Sequence, residues 1–504
     1  MGVRFSFWVK MLALVAAIVA ADLLVGEVGS WLGAAMLAWA VTLGLVRPAV
    51  RRSPGVWALA AAGGFALVLA YDPGPLAWVM FWAALSMAAL MPRVGAFDDA
   101  WRWALRLAAH GASGPFAPLL DLGRLTRLRG RGRPMRLVTT LVLPLAMTAL
   151  FVALFASANP LIERALQGLT LPSAGRIVLW GFVVVLVWPS LRPRAFATRI
   201  VGALPRIAVT LPGASSASVL VSLALFNLVF AVQNGLDLAF LWSGAPLPDG
   251  MTLAEYAHRG AYPLIVTALL AGIFVLGTLK PGSSTAENPL IRRLVVVWIA
   301  QNLLLVASSV LRTCDYIELY MLTAWRIAAL VWMGLVALGL VLICWRMLTG
   351  KSAAWLINAN ALAATLVLST GTIVDLDAVA ARWNVRHARE VGGKAVPLDL
   401  CQMRRMGSAA LVPLIQLESR PLTPEFRARV RAVRQDILPN LERQQADWHS
   451  WTMRGHQRLA QVRSLIGPAP ARSAPQPAGA SRGCDGAVVL PQPAPAPLTA
   501  GARQ

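Results

Sequence analysis

The stretch "ASVLVSLALFNLVFAVQNGLDLAFLW", residues 217–242, is an apolar run interrupted by Asn227, Gln233, Asn234 and Asp237. About 20 apolar residues in a helix cover the hydrocarbon core of a bilayer. Inside lipid a backbone must satisfy its own hydrogen bonds, so a run of this length reads as a spanning helix. At about 100° per residue, Asn227, Asn234 and Asp237 fall within one arc of about 80°. Amide and ionisable groups are costly against lipid, so that arc is expected to face other helices or a wet cavity. Gln233 flanks the arc, and Asp237 is expected close to the outer end, within reach of water.

The rest of the chain repeats the pattern. Of its 504 residues 57% are hydrophobic and 14% charged, and the mean hydropathy is +0.63, beyond what a soluble core needs. Apolar runs of spanning length occur near 8–26, 29–46, 55–71, 75–92, 137–157, 175–190, 217–242, 260–279, 294–312, 326–345 and 354–374. The expected fold is therefore all-α, a polytopic transmembrane helix bundle of about 11 spans. The run after Lys10 continues to Asp22 and is followed at once by another span, so no cleaved leader is expected.

With the N-terminus in the cytoplasm, the inner loops hold most of the lysines and arginines that precede residue 375. The outer connections hold only Arg164, Arg176, Arg259, Arg312 and Arg326. That asymmetry sets the orientation and places the region after Asp375 outside. All five tyrosines, Tyr71, Tyr256, Tyr262, Tyr316 and Tyr320, then fall at outer helix ends, where an amphipathic ring is favoured. The net charge of +23 follows from this topology. Without interleaved aromatics or a folded platform, no nucleic-acid role is expected.

The expected organisation is a membrane bundle over 1–376, an extracytoplasmic helical domain over 377–466 and a disordered Pro- and Ala-rich tail over 467–504. Within the basic inner loop 93–136, Asp98 or Asp99 can cap a short interfacial helix with Trp101, Leu105 and Ala108 on one face. The arginines of "RLTRLRGRGRPMR", residues 124–136, suit anionic headgroups. In the outer domain Thr423 and Pro424 start a helix that Pro439 is expected to break in two. Trp448, Trp451, Leu459, Val462 and Ile466 would line one stripe of the second half, as a core, a membrane seat or a partner surface.

Four cysteines show no metal-ligand spacing. Cys401 and Cys484 are the one candidate bridge, though four free thiols is the simpler expectation. No phosphate-binding loop, zinc-protease motif or nucleophile elbow is present, so soluble-type catalysis has no anchor. No cofactor or metal is expected.

The outer ends of the later spans gather charge. In "MTLAEYAHRGAYPLIVTALLAG", residues 251–272, Thr252 and Glu255 have capping-box spacing, Glu255 and Arg259 are four apart, and His258 lies beside them. The next outer connection adds Arg312, Asp315, Glu318 and Arg326. The candidate cluster is thus Asn227, Asn234, Asp237, Glu255, His258, Arg259, Arg312, Asp315, Glu318 and Arg326. It is either a set of ion pairs tying helix ends together or a polar vestibule open to the outside.

The blocks "FVALFASANPLIERAL" (151–166), 225–242, 251–272, "SSVLRTCDYIELYMLTAWRIAALVWM" (308–333) and "DAVAARWNVRHARE" (377–390) resemble the bacterial inner-membrane family known as domain of unknown function 4173, close to the 4153 family. The resemblance runs over roughly residues 10 to 466. It implies a bacterial multi-pass protein with an external helical end, and it supplies no catalytic or binding residues. The function expected is a non-enzymatic envelope component of the inner membrane, in contact with the lipid bilayer and another envelope protein or sensing a periplasmic condition. The alternatives are a transporter of a small solute or ion along the Asn227, Asn234 and Asp237 face, and a membrane enzyme acting on a lipid-linked substrate with Glu255 or His258 as base.

Overall fold

The computed structural model describes residues 2–23, 28–118, 120–121, 173–195, 215–242, 283–393, 396–467 and 481–489, with isolated positions in 144–148, 198–202 and 267–279. The chain forms two compact units, Met1–Leu204 and Pro205–Gln504.

The first unit contains α1 (Gly2–Leu23), α2 (Trp31–Val46), α3 (Gly55–Tyr71), α4 (Pro75–Val94), α5 (Ala100–Ser113) and α6 (Ala174–Leu191). Leu43, Ala62, Ala66, Leu69, Phe81, Leu85 and Ala89 are buried where α2, α3 and α4 meet. Gly33 of α2 lies so close to α3 that a Cβ there would run into the Ala70 backbone, and small residues allow such an approach. Asp22 of α1 receives Arg176 of α6 in a fork, with Nε to Oδ1 and Nη2 to Oδ2 both at 2.8 Å, and Trp180 Nε1 at 3.1 Å.

Asp99 is the residue that caps α5, accepting from Arg102 N at 2.8 Å. The face that α5 buries differs from the one expected to seat it. Trp103, Arg106 and His110 are buried, while Trp101 is 46% exposed. Arg106 can turn inward because Asp98 takes it bidentately, at 2.6 and 2.7 Å. The apolar side is left outward, as suits a helix lying in the lipid interface.

The second unit contains α7 (Ser216–Asp237), α8 (Pro289–Tyr320), α9 (Ala324–Thr349), α10 (Ala353–Ile373), α11 (Leu376–His387), α12 (Leu400–Arg405), α13 (Leu411–Glu418), α14 (Pro424–Ala446) and α15 (Met453–Ile466). One five-residue π-helical turn, Leu238–Trp242, continues α7. The outward faces of α7 and α10 are apolar, with Leu228, Val229, Leu362 and Leu366 each at least 60% exposed. Water would penalise such faces, and lipid does not.

By length and composition α4, α6, α7, α8, α9 and α10 can each cross a membrane, and α2 and α3 are shorter apolar helices. This is a helical membrane protein. Of the eleven expected runs, nine fall on described helices; 137–157 and the greater part of 260–279 lie outside the described residues but for scattered positions. At 32 residues, α8 is about 48 Å long. It is therefore longer than a hydrocarbon core of about 30 Å.

Helices α11 to α15 share a core with the end of α8. Ile317, Met321 and Leu322 are buried among Ala380, Val385, Met403, Leu411, Leu414, Val433 and Leu459. Asp375, the cap of α11, pairs with Arg458 and, at 3.8 Å, with Arg454, both of α15.

Three expectations for this region change. Pro439 lies inside the continuous helix α14, because Val433, Ile437 and Leu441 on either side of it are held in the core and outweigh one lost backbone bond. The stripe of α15 is Leu459, Val462 and Ile466, whereas Trp448 sits on the preceding turn, 57% exposed. Cys401 and Cys484 form a disulfide, leaving Cys314 and Cys344 as free thiols. The bridge pins a small hairpin inside the Pro- and Ala-rich tail, Ser481–Arg482 against Val488–Val489, and Asp485 of that hairpin pairs with Arg429.

Candidate functional site

The polar arc of α7 meets α8. Asn227 Nδ2 donates to Leu294 O at 3.1 Å, and its Oδ1 accepts from Gln301 Nε2 at 2.8 Å. Asn234 Nδ2 donates to Gln301 O at 3.2 Å. Asp237 receives Gln233 Nε2 at 3.1 Å and an ion pair from Arg312. Beyond it, Trp242 Nε1 donates to Ser308 Oγ at 3.2 Å. Leu294, Gln301 and Ser308 answer Asn227, Asn234 and Trp242 in order, so α7 and α8 run parallel.

Burial gives the ladder its energetic weight. Asn234, Asp237, Asn302 and Ser309 are each less than 5% exposed. Amide rungs between apolar helices fix register, because any slip would leave polar groups against lipid. Arg312 is the last residue of the expected span 294–312, and its side chain pairs with Asp237. Four acceptors in this seam, Asn234 Oδ1, Asp237 Oδ2, Gln301 Oε1 and Ser309 Oγ, are buried without a hydrogen-bond partner among the described residues. Buried acceptors of this kind are places for water.

The other candidate residues are divided. Arg326, in the first turn of α9, reaches back to the carbonyls of Tyr320, at 2.6 Å, and Met321, and its guanidinium lies 4.3 Å from the Tyr316 ring centroid. It therefore caps the end of α8. Asp315 is half-buried and Glu318 exposed, and neither makes an ion pair with a described residue. Glu255, His258 and Arg259 lie outside the described residues. Sequence reasoning passed over Gln301, although it stands beside Asn302 and seven residues from Leu294, the spacing that also separates Asn227 from Asn234.

The turn that joins α8 to α9 carries a second constellation. Met321 has φ +66°, with ψ in the extended range, a conformation close to glycine-only. It is 3% exposed. Asn384 of α11 holds the next residue, accepting from Leu322 N at 2.8 Å and donating to Leu322 O at 2.9 Å.

Among the described residues no group of three or more His, Cys, Asp or Glu side chains gathers as a metal site. A cleft of about 310 Å³ beside the disulfide is lined by Arg404, Val433, Asp436, Arg482 and Gly486.

A family model described as Domain of unknown function (DUF4153) matches residues 3–417. The chain belongs to this family. The resemblance read from the sequence, to family 4173 and its neighbour 4153, thus resolves to the second. The DUF4153 match covers the α7–α8 ladder and Asn384 and ends inside α13, before α14, α15 and the hairpin that carries Cys484. No curated protein and no solved structure matches the chain.

Proposed function

We propose that this protein is a non-enzymatic component of a bacterial inner membrane. Its N-terminus lies in the cytoplasm, about eleven helices cross, and the region after Asp375 stands outside, where it contacts another envelope protein or responds to periplasmic conditions. The observation that carries the reading is the bond between Cys401 and Cys484, because disulfides persist in oxidising compartments and are rare in the cytoplasm. The arginine asymmetry of the loops supports the same orientation. The parallel course of α7 and α8 supports a crossing between them, which the run at 260–279 would supply.

In this reading the α7–α8 ladder ties the membrane helices together, and the outer domain is held on the end of α8 by Asn384. Reporters fused after Ala380 and after Gly467 test it. Activity of a periplasm-specific reporter at both positions is expected, and activity of a cytoplasm-specific reporter at either would overturn the outside placement. A photo-crosslinking residue in place of Trp448 is expected to capture an envelope protein in intact cells. Recovery of only uncrosslinked chain would remove the partner.

A second reading, transport of a small solute or ion, is favoured by the four acceptors between α7 and α8 that have no partner among the described residues. It requires that Asp237→Asn abolish a flux the native chain supports in vesicles. An unchanged flux would dismiss it.

A further inference from the structure

At one end of the first unit, cations converge without matching carboxylates. Arg47 follows the last residue of α2 and inserts between two other helix ends, its Nη1 donating to Ala89 O of α4 and Ser190 O of α6, each at 3.0 Å. Lys10 of α1 lies within electrostatic reach of Arg47, Arg93 and Arg192, and Arg93 within reach of Arg192. The buried ring of His110 comes up from α5 near Arg47 and Arg93.

The carboxylates described nearby are already engaged. Asp121 takes Arg194 at 3.1 Å, Arg192 at 3.9 Å and Trp188 Nε1 at 3.0 Å, and Asp98 takes Arg106. Among the described residues Lys10, Arg47 and Arg93 have no carboxylate partner. Carbonyls at helix C-termini carry partial negative charge and account for the Nη1 group of Arg47. They do not account for the remaining Arg47 donors, nor for Lys10 and Arg93, which make no hydrogen bond with a described residue.

Like charges within reach of one another repel, and an anion between them offsets that repulsion. Burial, and then the Arg93 charge, bring Arg47 down to about 10, so it remains cationic at neutral pH. Arginine and lysine cations gathered within electrostatic reach of one another are suited to a phosphate group, which accepts several charge-assisted bonds at once. Basic pockets between transmembrane helices recognise anionic headgroups in this way.

We propose that Lys10, Arg47 and Arg93, with Arg192 at the margin, form a binding site for the phosphate of an anionic group, supplied by a phospholipid headgroup. The alternative source of the same chemistry is free phosphate.

The test uses the full chain in nanodiscs of phosphatidylcholine doped with phosphatidylglycerol, and reads retained lipid by native mass spectrometry. The native chain is expected to retain phosphatidylglycerol at least tenfold over phosphatidylcholine. Lys10→Gln/Arg93→Gln, which spares the structural bonds of Arg47, is expected to lose that preference. Arg51→Gln/Arg52→Gln, two exposed arginines at the same end, controls for general surface charge and is expected to keep it. Equal loss in both double variants, or no loss in the first, would overturn the site. Displacement of the lipid by millimolar inorganic phosphate would keep the site and assign it to free phosphate. Retention in its presence assigns it to the headgroup.

Discussion

Asn384 grips Leu322 by both of its backbone groups, an N–H at 2.8 Å and a C=O at 2.9 Å. All of these atoms are buried. A single amide thus seats the C-terminal helices on the α8–α9 turn and helps to hold Met321, whose conformation costs of order 1–3 kcal/mol.

Asn384→Ala is expected to destabilise the chain by about 2–4 kcal/mol, the cost of leaving two buried backbone groups unmet. Asn384→Asp should be nearly as damaging, since a carboxylate cannot donate to Leu322 O. Thermal unfolding in detergent, with proteolysis at the α8–α9 turn as a second readout, checks both. Native-like resistance in Asn384→Ala would show that the apolar core alone fixes the seat.

Breaking the Asp237–Arg312 pair from one side is expected to cost about 3–5 kcal/mol, because the remaining charge stays buried. Replacing both, as Asp237→Leu/Arg312→Met, should recover most of that loss. A double-variant cycle on unfolding midpoints measures the difference. A double replacement as unstable as either single one would mean that the pair has a role beyond mutual compensation.

His110 gives the first unit a pH dependence. Burial first, and then the positive charges of Arg47 and Arg93, hold its ring down at about 4, against about 6.5 for an unfolded histidine. The folded state therefore keeps His110 neutral while the unfolded state takes up a proton, and stability present above pH 6.5 is lost as pH falls toward 4. The loss amounts to about 3 kcal/mol. His110→Phe should flatten the profile between pH 6.5 and 4, and unfolding midpoints across that range would reveal an unflattened one.

Cys401→Ser or Cys484→Ser opens a loop of 83 residues and is expected to cost about 2–5 kcal/mol. The hairpin at 481–489 would then depend on Arg429–Asp485 alone among its ion pairs. Trypsin cleavage after Arg482 should become fast in either variant, and in the native chain after reduction. Equal cleavage rates before and after reduction would show that the bridge does not restrain the hairpin.

The membrane helices were readable because a spanning run is a local property. Length and hydropathy mark it, and caps such as Asp99 and the Thr423–Pro424 pair mark helix starts. The inward arc of Asn227, Asn234 and Asp237 was readable for the same reason, being fixed by helical spacing. What it meets was not, since Gln301 and Leu294 come from a helix about 70 residues later. Pro439 misled because its local preference is outweighed by the packing of Ile437 and Leu441. The bridge at Cys401 depends on a second cysteine 83 residues away, brought within 4.9 Å between Cα atoms only by the fold. Trp448 fitted a helical stripe by spacing, but the chain turns between Asp447 and Thr452 before α15 starts.

The unbroken course of α8 from Pro289 to Tyr320 has a mechanical meaning. A rod about 48 Å long turns a tilt of about 5° at its foot into a movement of about 4 Å at its tip. Leu322, gripped by Asn384, stands at that tip. Bilayer thickness or tension that leans α8 about its foot would shift the whole C-terminal assembly as cargo on a lever.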